Sequence, residues 1–455
     1  MLVGDGRMNL RATMNNHRSA YVGIALLGIV SLIGDIVYEG SRGLVPEYLK
    51  FLGATALVVG LVGGLGDFLG YAVRLVSGFL VDATRAYWFF ILLGYGLIVS
   101  IPLLGISTGL EMAVLFVLLE RLGKALRAPA RDTVLSVVSK DVGAGKAFGL
   151  HELLDQVGGM TGPLIVAALM LFSGGDYRLT FSLLFLPFLM LLLALSYTYK
   201  RIGKTHATEH PQTIARKEKL PTPFYVYTFA VLLNTVGLIP YTLILYKVSV
   251  IVQATNEQWI VPLIYFFIQG VDAPAALLSG YAYDRFGISV LVLPFVLSLF
   301  SPLLAMIDGG LFMLVLAAAM FGLVLGMQES IYRAAVSQLS PLSSRGTAYG
   351  IFNTAYGIGF LVSGGVYGAL IDSNSPFAIA VAYVLVTQAS AIVALLSARA
   401  KLKNLKKTLN QLGSKNETKE KKVEGSMLAG TACSYSTLEP CFSLLRSRSA
   451  SFSPQ

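Results

Sequence analysis

Gly145-Lys-Ala-Phe-Gly149 and Gly346-Thr-Ala-Tyr-Gly350 are near-copies of one another, 201 residues apart, and each opens a long apolar run. A second matched pair lies at an offset of 202: Gly78, Leu80 and Asp82 recur as Gly280, Ala282 and Asp284. A chain that repeats itself at this distance is built from two similar halves. Working outward from these anchors, apolar runs of the ~20 residues needed to cross a bilayer fall at 21–38, 54–77, 87–105, 110–131, 145–172 and 179–199. Six more fall at 224–246, 258–281, 288–307, 310–334, 346–371 and 376–398. Each matched pair then occupies the same place in a six-span unit. The fold class predicted is an all-α membrane protein, twelve transmembrane helices arranged as two pseudo-symmetric six-helix bundles.

Composition agrees. Of 455 residues only 13% are charged, against about 25% for soluble domains. The net charge of +10 does not indicate nucleic acid, because it gathers beside the apolar spans. Residues 399–455 hold 11 Lys/Arg and four Asp/Glu, and residues 200–223 hold six and two. Segments facing one side hold 24 Lys/Arg and the loops facing the other hold four, Arg42, Lys50, Arg178 and Lys247. The positive-inside rule therefore places both termini in the cytoplasm and the chain in the cell membrane. The expected organisation is a cytoplasmic segment 1–20, a bundle 21–199, a cytoplasmic linker 200–223, a second bundle 224–400 and a disordered cytoplasmic tail 401–455. The first apolar run reads as a membrane span and not as a cleaved signal peptide. The only cysteines, Cys433 and Cys441, lie in the tail and offer no disulfide framework; no metal site and no cofactor are expected.

Ionisable side chains inside spans cost at least ~2.5 kcal/mol each at mid-helix, so each needs a partner or water. Span 4 carries Glu120, Lys124, Arg127 and Arg131 on one helical face, with Arg121 beside it. Span 5 carries His151 with Asp155, and Glu152 with Gln156, each four apart. If span 4 ends near Arg131 and span 5 begins near Gly145, Lys124 and His151 both lie ~10 Å from the inner boundary, and Glu120 and Asp155 ~15 Å. The spacing thus predicts a buried network of Lys124, Arg127 and Arg131 with Glu152, Asp155 and His151. Such a network is either a latch between helices or part of a substrate or proton path. Asp35 and Glu39 point the same way from span 1. Asp67 sits among Gly63, Gly66 and Gly70 with Arg74 two turns below, the expected partner. A carboxyl in a low-dielectric cavity can load and release protons, and each of these acids is open to that role or to helix pairing. Asp272 and Glu329 are the second-half counterparts, with Glu329 expected to pair with Arg333 at i,i+4. The glycines of span 11 (Gly350, Gly357, Gly364 and Gly368) suit close helix packing. Asn234 and Asn353 are open to substrate contact or helix pairing.

The loops after spans 2 and 8 (Gly78, Leu80, Asp82, Arg85; Gly280, Asp284, Arg285, Gly287) resemble the G-x-L-x-D-R-x-G-R-K loop of the major facilitator superfamily, the second copy better than the first. In the first copy Ala83 replaces the first Arg, Arg85 the Gly and Ala86 the second Arg. Gly158-x-x-x-Gly162-Pro163 resembles the motif of that superfamily's exporters, although Val166 and Ala167 stand where glycines usually follow. Asp35, Glu39, Pro46, Gly123-Lys-Ala-Leu-Arg-Ala-Pro-Ala-Arg-Asp132 and Phe148-Gly-Leu-His151 resemble a prokaryotic subgroup of these permeases, over roughly residues 20–400. The resemblance implies a secondary transporter, gating loops at Gly78, Asp82, Arg85, Gly280, Asp284 and Arg285, and helix packing at Gly158, Gly162 and Pro163.

Other classes fit less well. An ATP-driven pump needs G-x-x-x-x-G-K-[ST], but before Gly145-Lys146 position 140 is Lys, and position 147 is Ala. An intramembrane enzyme lacks H-E-x-x-H and a Cys/His metal set, though an Asp35–Asp67 pair leaves an aspartyl site open. The function expected is alternating-access transport of a small-molecule substrate, coupled to protons and leaning to efflux, by an antiporter or permease acting as a monomer in the lipid bilayer. An uncoupled facilitator or a transporter-like sensor is the alternative.

Overall fold

The computed structural model describes the backbone of residues 4–139, 142–203 and 218–403, and within these the side chains from Ala20 onward other than that of Ala144. The expected disordered tail from 404 and most of the linker lie outside the described residues. Ten helical segments are long and apolar enough to cross a membrane. One of them, Ile260–Met306, breaks at Gly287 into two crossings, and Leu110–Val138 is a further helix of span length whose charges keep it out of that set. The described residues therefore make twelve crossings. In chain order they are α1 Gly4–Phe51, α2 Ala56–Thr84, α3 Tyr87–Ile106, α4 Leu110–Val138, α5 Ala144–Phe172 and α6 Tyr177–Ile202. The second half comprises α7 Thr222–Thr255, α8 Ile260–Phe286, α9 Val292–Met306, α10 Gly310–Leu339, α11 Arg345–Asp372 and α12 Phe377–Lys403. With no water in the hydrocarbon, helices satisfy their own backbone, so an all-helical answer follows from the apolar runs.

Several helix ends run beyond the sequence reading, among them those of α1, α2, α4 and α7. α1 continues past position 38 to Phe51, so Arg42 is not in a loop but inside the helix and largely buried. Its backbone is already helical at Gly4, ahead of the apolar run. α4 continues past Arg131 to Val138, which lifts Arg131 by ~10 Å at 1.5 Å per residue. Both helices carry their charges on a protein-facing side, where a partner replaces water.

The halves meet along α2 and α11, α5 and α8, and α1 with α7 and α8. Small residues permit the contact. A β-carbon on Gly60 or Gly364 would overlap the other's carbonyl oxygen, and one on Gly43 would lie 2.9 Å from the Pro262 Cα. Gly350 and Gly357 of α11 likewise abut Leu75 and Phe68, and Gly368 abuts Leu57. The end of the molecule away from the linker is sealed. There the Asp372 carboxylate of α11 accepts the backbone N–H of Ala56 at 2.8 Å and of Leu57 at 2.9 Å, so one half caps an α2 N-terminus of the other. Lys50 Nζ donates to Gln253 Oε1 across the same end at 2.8 Å.

A carboxylate at a helix N-terminus is stabilised by unpaired N–H groups and by the helix dipole, together ~1–2 kcal/mol. Asp372→Asn is therefore expected to favour opening of this end by about tenfold, 1.4 kcal/mol being a factor of ten. Thr242, buried beneath the seal against Gly63, reports it: in a background lacking Cys433 and Cys441, Thr242→Cys should react correspondingly faster with an impermeant thiol reagent. Unchanged reactivity would remove Asp372 from the gate.

Candidate functional site

One cavity of about 660 Å³ runs between the halves. From the first half α1 contributes Asp35, Tyr38, Glu39 and Arg42; α2 contributes Asp67, Tyr71 and Arg74; α4 contributes Arg121, Lys124, Arg127, Arg131 and Asp132; α5 contributes His151, Glu152, Asp155 and Gln156. From the second half come Tyr241, Tyr265, Gln269, Asp272, Glu329 and Arg333. Its mouth lies at the linker end. On α4 Glu120 is 2% exposed and Asp132, three turns nearer the linker, 48%, while Lys124 and Arg131 between them are 30% and 18% exposed and Arg127 is buried.

The floor of the cavity is a chain of ion pairs. Arg121 Nη1 lies 3.1 Å from Asp67 and its Nε 3.6 Å from Glu120, while its Nη2 donates to the Tyr241 hydroxyl at 2.9 Å. Arg42 pairs with Glu39 and lies 3.7 Å from Glu120. Glu39 also takes Lys124 Nζ at 3.2 Å and the Tyr265 hydroxyl at 2.8 Å. The Tyr38 ring sits among three cations, with Arg42, Lys124 and Arg127 at 4.6–4.9 Å from its centroid. A ring quadrupole attracts each of them and spares part of the cost of holding like charges together. Nearer the mouth, Arg131 joins Asp132 at 3.0 Å, Asp155 at 3.4 Å and the Ser31 hydroxyl at 2.9 Å, and His151 Nδ1 lies 3.5 Å from Asp155.

The site thus brings the expected residues together but pairs several of them differently. Of the network expected between α4 and α5, Arg131, Asp155 and His151 meet. Lys124 pairs instead with Glu39, and Arg127 stacks on Tyr38 and Tyr95 and donates to the Gly94 carbonyl at 3.4 Å. Glu152 has no ion pair among the described residues. The longer α4 explains the change, because it raises Arg131 to the level of Asp155 and carries Lys124 up to Glu39. Asp67 pairs with Arg121 and not with Arg74. Glu329 and Arg333 do not pair either. A π-turn at Gln328–Tyr332 lies between them, so the regular i,i+4 register of an α-helix does not hold there.

Other positions take structural roles. Gly158 and Gly162 of α5 lie against α1, Gly158 at Leu32 and Asp35 and Gly162 at Ile36 and Gly40, with Pro163 inside the same helix. These glycines fix how Asp35 enters the cavity. Asn234 is buried away from it, bonding Ser298 at 2.6 Å and Gln388 at 2.8 Å and accepting from Tyr332 at 2.9 Å. Neither Asp82 nor Asp284 forms an ion pair among the described residues. Arg85 and Gly287 instead cap α2 and α8 with positive φ. Gly78 faces Pro129, Gly280 faces Ser330, and Arg285 lies over the Phe286 ring. Both loops stand at the open end, where the halves are apart.

Among the site residues that escaped the sequence reading are Tyr38, Arg42, Tyr241 and Tyr265. The spacing Tyr38-Glu39-x-x-Arg42, with a further turn of helix, was the available signal for the first two. Nothing local marks the tyrosines, which reach the site from the other half.

Two similar six-helix halves around one polar cavity, sealed at one end and open at the other, define a membrane transporter of the alternating-access kind. The chain belongs to the major facilitator superfamily, whose profile matches residues 24–287 and again 256–448. It is 36% identical over 360 residues to an uncharacterised protein of Mycobacterium tuberculosis, covering 78% of this chain and 86% of that one. An MFS-type transporter of Methanocaldococcus jannaschii is 26% identical over 369 residues, 80% of this chain and 92% of that one. Among solved structures, a variant of the nucleoside transporter NupG superposes with TM-score 0.64 at 14% identity, over 83% of this chain and 99% of that chain. A bacterial homologue of the human lysosomal transporter Spinster, inward-facing and occupied, gives 0.59 at 15% identity, over 84% and 95%. These last two are likenesses of fold. The chain is a secondary transporter with a small-molecule substrate.

Proposed function

We propose that this transporter couples movement of a small charged solute to protons and exports it from the cytoplasm. One observation carries the coupling. Asp35, Glu152, Asp272 and Glu329 line a water-accessible cavity at membrane depth with no cation within 4.0 Å among the described residues. A carboxylate without a counter-ion in such a place is costly, and binding a proton removes the cost. These groups therefore gain or lose protons as the cavity changes the side it faces. The Lys/Arg asymmetry supports cytoplasmic termini; of the four residues counted in the outer loops, Arg42 and Lys50 belong to α1, Arg178 to α6 and Lys247 to α7. On that orientation the cavity opens to the cytoplasm. Export is the direction favoured by the likeness of Gly158-x-x-x-Gly162-Pro163 to exporters.

In sealed vesicles containing the full chain, an imposed pH gradient should drive proton flux only when a transported solute is present. A dye-monitored screen of chemically varied solutes measures this. Solute flux that ignores the gradient would favour an uncoupled facilitator.

A further inference from the structure

We propose that the linker-side mouth holds the oxyanion group of the solute, a carboxylate or phosphate, between Arg74 of the first half and Arg333 of the second. Both side chains line the main cavity. They converge on Tyr71, whose ring lies 5.9 Å from the Arg74 Cζ and which shares a small pocket with Arg333. Tyr71 in turn packs edge-on against Tyr356 of α11 at 5.2 Å, so the place where the two arginines meet is built by both halves.

Neither guanidinium has a carboxylate within 4.0 Å among the described residues, and Arg74 Nε is buried without a hydrogen-bond partner. Of the acids nearby, Asp132 belongs to Arg131, while Glu329 shares the small pocket with Arg333 and Glu152 faces the same cavity, neither, among the described residues, within 4.0 Å of a guanidinium. Two like charges facing one space repel until an anion enters, and the forked N–H groups of arginine match the oxygens of carboxylate or phosphate. An anion bound here joins α2 to α10 and draws the mouth together, which ties binding to the rocking of the halves. The assignment rests on the reading of this cavity as the solute path.

The test uses the full chain in phosphatidylcholine nanodiscs, phenylglyoxal as arginine reagent, and inorganic phosphate as probe against chloride at equal ionic strength. Modification is read at each residue by mass spectrometry. Phosphate should slow labelling of Arg74 and Arg333 together, by about tenfold at about ten times its Kd. Arg333→Gln should abolish the protection of Arg74, and Arg333→Lys should weaken it. Protection of neither residue, or of Arg74 undiminished in Arg333→Gln, would overturn the proposal. So would protection that needs phosphatidylglycerol in the bilayer and does not follow added phosphate, since the pair would then serve lipid. No gradient enters the measurement, so its failure and the failure of proton coupling are separate results.

Discussion

Asp35→Asn should abolish gradient-driven transport and leave the protein folded. Asparagine keeps the shape of the side chain and cannot release a proton. Asp35 is buried and lines the cavity, its position set by Gly158 of α5 lying against its β-carbon, and among the described residues no cation neutralises it. Losing its charge therefore breaks no ion pair, and thermal stability should be unchanged or raised. Downhill solute exchange, which needs no net proton movement, should survive. Asp67 and Asp155 differ because each holds an arginine; their asparagine variants should lose stability as well as rate. Flux assays in vesicles with and without a pH gradient separate the two patterns. Coupled transport of normal size in Asp35→Asn would pass the role to Glu152, Asp272 or Glu329.

The largest loss of stability should follow Arg121→Ala. That side chain is the knot of the cavity floor, touching Asp67 and Glu120 of the first half and Tyr241 of the second. Its removal leaves two carboxylates short of a partner in the membrane interior. Breaking one side of a buried ion pair costs about 3–5 kcal/mol, much of it from the charge left behind. Adding Asp67→Asn should therefore restore part of the loss, because one of the stranded charges is gone. Apparent Tm values of the two single variants and the double variant give the coupling directly. An Arg121→Ala protein as stable as the wild type would mean that the floor is held by packing alone.

The architecture was open to reading because repeat and apolar run length are properties of the chain itself. The pair Gly145–Gly149 and Gly346–Gly350 marks equivalent places in two bundles without any knowledge of contacts. Which acids and bases gather at the centre was equally visible, since charges within apolar helices have few other places to go. Their pairing was not. Where helix α4 ends decides whether Lys124 meets His151 or Glu39, and the charges that end a hydropathy run at Arg131 do not end the helix. The same misreading placed Arg42 in a loop. Glu329 and Arg333 lie across a π-turn, which the i,i+4 rule for a regular helix does not contain. Tyr241 and Tyr265 enter through contacts between halves more than 200 residues from Glu39 in the chain, where only folding brings them.

Distances measured between spin labels at both ends of the molecule address alternating access itself. Labels at Lys50→Cys and Gln253→Cys report the sealed end, and labels at Leu153→Cys and Leu277→Cys, both on exposed positions of α5 and α8, report the open one. Across a pH titration, and again with Asp372→Asn, the first distance should lengthen in the same fraction of molecules in which the second shortens. Two distances that stay fixed, or that lengthen together, would contradict rocking of the halves about a central cavity.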